Sequence, residues 1–378
     1  MWWNRTGNMR TLIINPGSTN LKLSVLDGTE ERFHTTIEQP PAVALVTGLE
    51  QARAAGLLPV EAVGHRIVHG GPEFTAGVRI TDEVVVRLTK LNDLAPLHNP
   101  PALEALAEAR KQLPDVPHIA AFDTAFHSSI PNTNPAAVHY PLPQQWSQEW
   151  GIRKYGFHGL SHAYCSRRVA EMMGRVDDFM LKVIVAHLGG GCSLSAVAGG
   201  FCFDTSMGFT PLDGLMMTTR SGSVDPGAIL HVMRHHGLTV DQVEHALNKQ
   251  SGLLGVSGVS SDIREVRKAA ESGNQRAATA LEMFAYRVQL GIAAMMTAVG
   301  GADALVFTGG IGEHDAIFRT SVCLGLSFLR AIIDPQKNTS CVPDQEISAD
   351  NTKIRVFVIH TREDVSIVRE IEKCLGKV

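Results

Sequence analysis

The stretch Leu12-Ile13-Ile14-Asn15-Pro16-Gly17-Ser18-Thr19-Asn20-Leu21-Lys22-Leu23-Ser24-Val25 decides the fold, because its plan returns about 170 residues later as Val183-Ile184-Val185-Ala186-His187-Leu188-Gly189-Gly190-Gly191-Cys192-Ser193-Leu194-Ser195-Ala196-Val197. In both, a short apolar run meets a polar residue and a glycine turn, and an alternating run follows. The pattern predicts a buried strand, a tight turn and a half-buried strand returning antiparallel. Such a turn exposes several backbone N–H groups on one concave face, which suits an anion and above all a phosphate. Two of them in one chain predict a nucleotide clamp.

Working outward, 378 residues exceed the ~250–300 at which a single core stops growing, so two domains are expected. Hydrophobic residues make up 44% and charged residues 19%, with a net charge of -4. That is a globular composition, and no block of like charge suggests a nucleic-acid groove or a membrane-surface patch. A small-molecule partner is expected. Six cysteines show no C-x-x-C pairing and sit mostly in apolar runs. They read as buried free thiols in a reducing compartment. Residues 1–9 lack the apolar core of a signal peptide, and the ordered pattern starts only at Thr11, leaving Met9 as an alternative start. The apolar stretch from Leu290 to Ala302, broken by Thr297 and Gly300-Gly301, is too short to span a bilayer. A cytoplasmic protein is expected.

Between the two turns, Pro101 to Leu113 predicts a helix with Asn99 as its cap, and Ile119 to Phe122 predicts a strand ending in Asp123-Thr124. The proline-rich run from Pro131 to Pro143 is the expected passage between domains. Ala277 to Val299 predicts a long helix leading to the strand Ala304–Phe307 and a third glycine turn, Thr308-Gly309-Gly310-Ile311-Gly312-Glu313. The strand Ile354–Ile359 runs into a final amphipathic helix, with Thr361 and Asp364 spaced as a capping box. Strands and helices alternate in each half, so the fold class is α/β, with chemistry in the loops at the strand ends. Phosphoryl transfer needs what those loops carry: cationic donors, oxygen ligands for a divalent metal, and glycine turns for nucleotide phosphates.

These residues then form an ordered set of motifs: Asn15-Pro16-Gly17-Ser18, Gly64-His65-Arg66-Ile67-Val68-His69-Gly70-Gly71, Ala95-Pro96-Leu97-His98-Asn99-Pro100, Phe122-Asp123-Thr124-Ala125-Phe126-His127, Tyr155-Gly156-Phe157-His158-Gly159-Leu160-Ser161-His162, Asp204 to Gly214, Thr219-Arg220-Ser221-Gly222, Ser260-Ser261-Asp262 and Phe307 to Glu313. From about Thr11 to its end the chain resembles the acetate kinase family. The resemblance implies two duplicated α/β domains of the sugar kinase, actin and heat-shock ATPase type, with the active site in the cleft between them. The expected division is residues 10–125 plus 365–378 for the acyl side, hinged near Asp123, and 126–364 for the nucleotide side and a homodimer interface. It also implies reversible phosphoryl transfer between ATP and acetate, giving ADP and acetyl phosphate.

Residue by residue, Arg66 stands where the family grips the substrate carboxylate or phosphoryl oxygens. It reads here as part of a glycine- and histidine-rich turn with no acidic neighbour nearer than Glu61 and Glu73. A guanidinium fork suits either oxyanion. Arg220 matches the family's second arginine, which meets transition-state charge. His158 matches a donor to the moving phosphoryl. Asp123 matches a carboxylate that orients substrate and metal water; acetate is already ionised near neutral pH, so no strong base is needed. Asn15 and Glu363 match the Mg²⁺ positions, which Mn²⁺ would also fit, with Asp364 the alternative should the register slip by one. Val68, Leu97, Phe157 and Pro211 match the pocket for the acyl tail. His187, Leu188, Gly189, Gly190 and Gly191 are expected at the nucleotide phosphates, with Ser18 and Lys22 near the terminal one. Asp262, Ile263 and Arg264 are expected at ribose and adenine, and Gly310, Ile311, Gly312, Glu313 and His314 on the purine side.

The chain departs from the family pattern at Gly190 and His314 where asparagine is usual, Thr218 where glycine is, Asn20 where serine is, and Ser223 where aspartate is. Most of these fall on the nucleotide side. Alternatives are therefore propionate as acceptor, pyrophosphate as donor, and a non-catalytic nucleotide sensor. The sensor reading conflicts with the presence of Arg66, Asp123, His158, Arg220 and Glu363 together.

Overall fold

The computed structural model describes residues 9–17 and 20–377. Leu12, Ile13 and Ile14 are buried in the first strand, as are Val183, Ile184 and Val185 in its later counterpart. Each seeds a six-stranded mixed sheet.

The first sheet comprises β1 (Arg10–Pro16), β2 (Leu21–Asp27), β3 (Glu30–Ile37), β4 (Ala62–Ile67), β5 (Val78–Arg79) and β6 (His118–Phe122), in the order β3-β2-β1-β4-β6-β5. The second comprises β7 (Lys182–Leu188), β8 (Cys192–Ala198), β9 (Phe201–Thr205), β10 (Ala304–Thr308), β11 (Gln345–Glu346) and β12 (Arg355–Val358), in the order β11-β12-β10-β7-β8-β9. Read from the hairpin edge, the two orders are the same. In the first sheet β1 pairs antiparallel with β2 and parallel with β4, β4 pairs parallel with β6, and the short β5 closes antiparallel. In the second, β7 pairs antiparallel with β8 and parallel with β10, β10 pairs parallel with β12, and β11 closes antiparallel. The duplicated α/β architecture that the family resemblance implies is present.

The chain divides into two compact units. The first runs to Ser128 and adds Phe157–Tyr164 and everything from Arg362; the second is Ser129–Gly156 with Cys165–Thr361. The proline-rich run from Pro131 to Pro143 lies wholly inside the second unit. In the first unit the C-terminal helix Glu363–Cys374 buries Val365, Ile367, Val368 and Ile371 with Ile13, Ala62 and Ile119 of the sheet. A Cβ at Gly64 would strike Ile367 and Ile371, so only glycine lets this helix approach β4 so closely. That approach brings the helix's first residue, Glu363, to Arg66 two positions further along β4.

Four local expectations need correction. Asn99 is the first residue of the helix Asn99–Gln112 and does not cap it. Its buried side chain instead accepts from the His69 N–H and donates to the His69 carbonyl. Tertiary partners outbid the cap. The third glycine turn is a short helix, Gly309–His314, entered through Gly309 at φ 76°. The capping box at Thr361 and Asp364 does not form: the Thr361 N–H donates to Glu313, and Asp364 pairs with Arg362. Finally, Arg66 belongs to strand β4, and its acidic partner, Asp123, follows directly on the neighbouring strand β6.

Candidate active site

In the first unit β1, β4 and β6 are adjacent, and Asn15, Arg66 and Asp123 lie at or just beyond their C-terminal ends. Asp123 follows the end of β6, where its own N–H donates to the Ile67 carbonyl. The Arg66 fork donates through Nε to Asp123 Oδ1 at 3.0 Å and through Nη2 to Oδ2 at 2.6 Å. Its Nη1 donates to Asn15 Oδ1 at 2.9 Å, and Asn15 Nδ2 donates to Glu363 Oε2 at 3.1 Å. Glu363 Oε2 also lies 3.9 Å from Arg66 Nε. Four residues spread from 15 to 363 in sequence are thus one hydrogen-bonded cluster. Burial lowers the Arg66 guanidinium, but Asp123 and Glu363 more than reverse this and hold it above its ordinary value. Burial raises the Asp123 carboxyl; Arg66 opposes that rise and Glu363 adds to it.

His158 has φ 56°, a left-handed conformation that costs a non-glycine residue roughly 1–2 kcal/mol. It is held by the next N–H, Gly159, which donates to the Asp123 carbonyl at 2.9 Å, and by the start of the helix Gly159–Met172. The expected hydrogen-bond donor is therefore tied through the backbone to the expected orienting carboxylate. Of the residues expected at the acyl tail in this unit, Val68 and Phe157 are buried, while Leu97 is 48% exposed. Lys22 is exposed and directly opposite Asn15 in the β1–β2 ladder, so both side chains point to the same face. Ser18 lies outside the described residues.

In the second unit Arg220 is half-buried in the loop after β9 and donates through Nη1 to the Pro211 carbonyl at 2.9 Å. No acidic side chain pairs with it among the described residues, and burial holds it below its ordinary value. The nearby Cys192 thiol offers no counter-charge, because burial pushes it up to about 12. At the β7–β8 turn, His187 and Leu188 close the strand, and the Gly189 N–H donates to the Gly191 carbonyl at 3.0 Å. Gly190 is exposed, and a Cβ there would meet nothing nearer than Thr218 Oγ1 at 4.0 Å. Thr218 Oγ1 donates to the Gly190 carbonyl at 3.1 Å, so two of the residues that depart from the family pattern brace one another.

The Acetokinase family profile matches residues 42–369. Over 312 residues the chain is 51% identical to acetate kinase of Gloeobacter violaceus, covering 82% of this chain and 76% of that one. The crystal structure of acetate kinase from Porphyromonas gingivalis matches at 35% identity and a TM-score of 0.86, covering 97% of this chain and 100% of that one. A propionate kinase from Francisella tularensis matches at 35% identity and 0.87, over 96% and 98%. The chain belongs to the acetokinase family. It is therefore a phosphotransferase with a carboxyl group as acceptor and ATP/ADP as co-substrate.

The acetokinase chemistry gives meaning to several contacts that sequence spacing could not show. Asp262 caps the helix Ile263–Glu271 by accepting from the Arg264 N–H at 2.9 Å, and it also pairs with the Arg264 guanidinium. That pairing, foremost the side-chain hydrogen bond, lowers Asp262 to about 2. Glu313 is buried with its carboxylate turned into the fold, accepting from Thr308 Oγ1, Gly309 N–H, Thr361 N–H and His360 Nδ1. It knits the turn Gly309–His314 to the end of β12 and leaves Gly310, where a Cβ would meet open space, and His314 exposed on that turn. His360 carried no signal in the sequence, since its partner lies 47 positions away. The Asn15 amide and the Glu363 carboxylate supply oxygen donors of the kind Mg²⁺ takes; in this structure Asn15 Oδ1 accepts from Arg66 and the Asn15 amide N–H faces Glu363. No group of three or more His, Cys, Asp or Glu is arranged to hold a metal among the described residues.

Proposed function

We propose that the chain catalyses reversible, Mg²⁺-dependent phosphoryl transfer between ATP and acetate, giving ADP and acetyl phosphate. The observation that carries this reading is the Asn15–Arg66–Asp123–Glu363 cluster within a chain of the acetokinase family. The acceptor carboxylate is ionised near neutral pH, so the protein needs to position and neutralise, and no residue has to remove a proton. Arg66 grips acetate or phosphoryl oxygens while Asp123 holds its fork in place. Arg220, which has no acidic partner among the described residues, meets the charge that builds on the transferring group, and His158 donates a hydrogen bond to it. Asn15 and Glu363 hold Mg²⁺, or Mn²⁺, which when bound neutralises phosphate charge. Residues His187 to Gly191 with Ser18 and Lys22 take the phosphates, Asp262 to Arg264 the ribose and adenine, and Gly310 to His314 the purine side. Val68, Leu97, Phe157 and Pro211 enclose the acyl tail.

Propionate is a second acceptor to test, since the Francisella relative is a propionate kinase and one methylene changes pocket binding by only ~1–3 kcal/mol. The enzyme is proposed to work in the cytoplasm as a homodimer. Support for self-association comes from the second unit: Tyr286 and Leu290 on the helix Gln275–Val299 and Ile317 and Leu324 on the helix Ala316–Gly325 are each at least half exposed. A cluster of exposed apolar side chains of this kind marks interfaces.

The deciding experiment is a coupled assay of the purified protein with acetate, propionate and butyrate against ATP and pyrophosphate. Turnover with acetate and ATP is expected to exceed every other combination. Turnover with pyrophosphate and none with ATP would overturn the nucleotide assignment, and a larger kcat/KM for propionate would reassign the acceptor.

A further inference from the structure

The loop from Gly208 to Ser223 carries both Pro211 and Arg220, yet it has no regular secondary structure. Its shape is fixed by polar contacts, and one residue from a distant part of the second unit sits at their centre. Tyr140 Oη accepts from the Phe209 N–H at 2.8 Å and donates to Asp213 Oδ2 at 3.3 Å. The other carboxylate oxygen, Asp213 Oδ1, accepts from the Gly214 N–H at 2.8 Å and from Ser223 Oγ at 2.6 Å. The Ser223 N–H in turn donates to the Gly214 carbonyl at 2.9 Å. A Cβ at Gly208 would collide with Tyr140 Oη, so the backbone is built to admit the phenol at this point. The Gly208 carbonyl is itself occupied by the Tyr155 and Gly156 N–H groups.

We propose that Tyr140 is a positioning residue: through Phe209 and Asp213 it fixes the loop whose Pro211 carbonyl holds Arg220, and so sets both the reach of that guanidinium and the wall that Pro211 gives the acyl pocket. Tyr140 touches no reacting atom in this scheme. Both ends of the segment are pinned by the same relay, Phe209 at one and Ser223 at the other. The Arg220–Pro211 bond spans its interior, so loosening the relay frees the donor and the pocket wall together. Burial, with the Asp213 charge adding to it, holds the phenol above its ordinary value and keeps it a proton donor.

This inference rests on the acetate kinase reading, and its test has one arm that does not. Hydrogen–deuterium exchange of full-length Tyr140→Phe is expected to rise across residues 208–223 and to stay at the wild-type level in β7 and β8. In turnover assays the same variant is expected to lose about ten-fold in kcat, the worth of one or two hydrogen bonds. Its propionate-to-acetate ratio of kcat/KM should rise, while KM for ATP stays within about two-fold. Ser223→Ala, which removes only the far end of the relay, should shift the same quantities in the same direction by less. Unchanged exchange at 208–223 in Tyr140→Phe would overturn the proposal. So would faster exchange with kcat and the acyl ratio both unmoved, or KM for ATP rising as much as KM for acetate. Wild-type protein inert toward both acids would remove the acetate kinase reading, and the exchange measurement would still decide whether Tyr140 holds the loop.

Discussion

The two arginines expected to meet substrate oxygens live in opposite electrostatic surroundings. Both oxygens of Asp123 grip the Nε/Nη2 edge of Arg66, and Glu363 lies close by, one positive charge against two negative ones. Among the described residues Arg220 is held only by a carbonyl and has no counter-ion, and burial lowers its pKa. The first cluster therefore carries a net negative charge that favours a cation, whereas the second site keeps an unneutralised positive charge for an anion. The sheets around them are duplicates in topology, so the fold did not dictate this division. Side chains at a few strand ends and in one loop did.

Removing Arg66 should have the largest effect, because it strikes both chemistry and fold. Arg66→Ala leaves Asp123 buried and unpaired, for which a loss of about 3–5 kcal/mol in stability is expected. A drop in kcat/KM of at least ~10²–10³ should accompany it. Urea denaturation would read the first and steady-state kinetics the second. The double variant Arg66→Ala with Asp123→Asn should regain part of the stability and none of the activity. If the single variant were as stable as wild type, the cluster would not be a structural unit.

Arg220→Ala should separate the two effects. Losing an arginine that meets transition-state charge costs on the order of 10³–10⁵ in rate in other phosphoryl-transfer systems. The fold, however, gives up one bond to a carbonyl and is relieved of an unpaired half-buried charge, so the melting temperature should stay near that of wild type. A kcat within ten-fold of wild type would remove Arg220 from the transition state and break the contrast with Arg66.

Much of this division could be read in the chain before folding. The two strand–turn–strand segments were legible as antiparallel hairpins, and the duplication of the whole sheets around them was legible by resemblance. Asn15, Arg66, Asp123 and Glu363 were each legible by resemblance, but their mutual contacts were not. Arg66 looked free of acidic neighbours because Asp123 is 57 positions away and becomes adjacent only when β6 pairs with β4. Glu313 was legible as part of the turn expected on the purine side, but the bonds of its carboxylate to His360 and Thr361 beyond β12 were not. Tyr140 had no motif at all, because its role depends on where the loop at Gly208 passes. Local pattern specifies strands and turns, while long-range polar pairing is settled only by the tertiary fold.

The smallest expected effect separates the two units by acid sensitivity. Every histidine fully buried in the described residues belongs to the first unit: His65, His69, His118, His127 and His162. Two of these form a chain in which His65 Nε2 lies 2.9 Å from His118 Nδ1 and His118 Nε2 lies 2.9 Å from the Leu113 carbonyl. The carbonyl can only accept, so His118 Nε2 bears its proton, His118 Nδ1 accepts, and His65 Nε2 donates. That assignment takes both rings as neutral, which burial favours by holding both below their ordinary values, His65 far below. An unfolded histidine titrates near 6.5, so the unfolded chain takes up protons first as the pH falls. The stability held by this pair is complete above that value and is lost below it, by up to about 1.4 kcal/mol per pH unit for each ring, until the folded values are reached. Hydrogen exchange at pH 7.5 and 5.5 should accordingly show β1, β4 and β6 losing protection while β7, β10 and β12 change little. His65→Gln, whose amide can still donate to His118, should remove one of the two slopes. Equal loss of protection in both sheets would mean that the histidine pair does not distinguish them, and that the contrast between the units ends at their arginines.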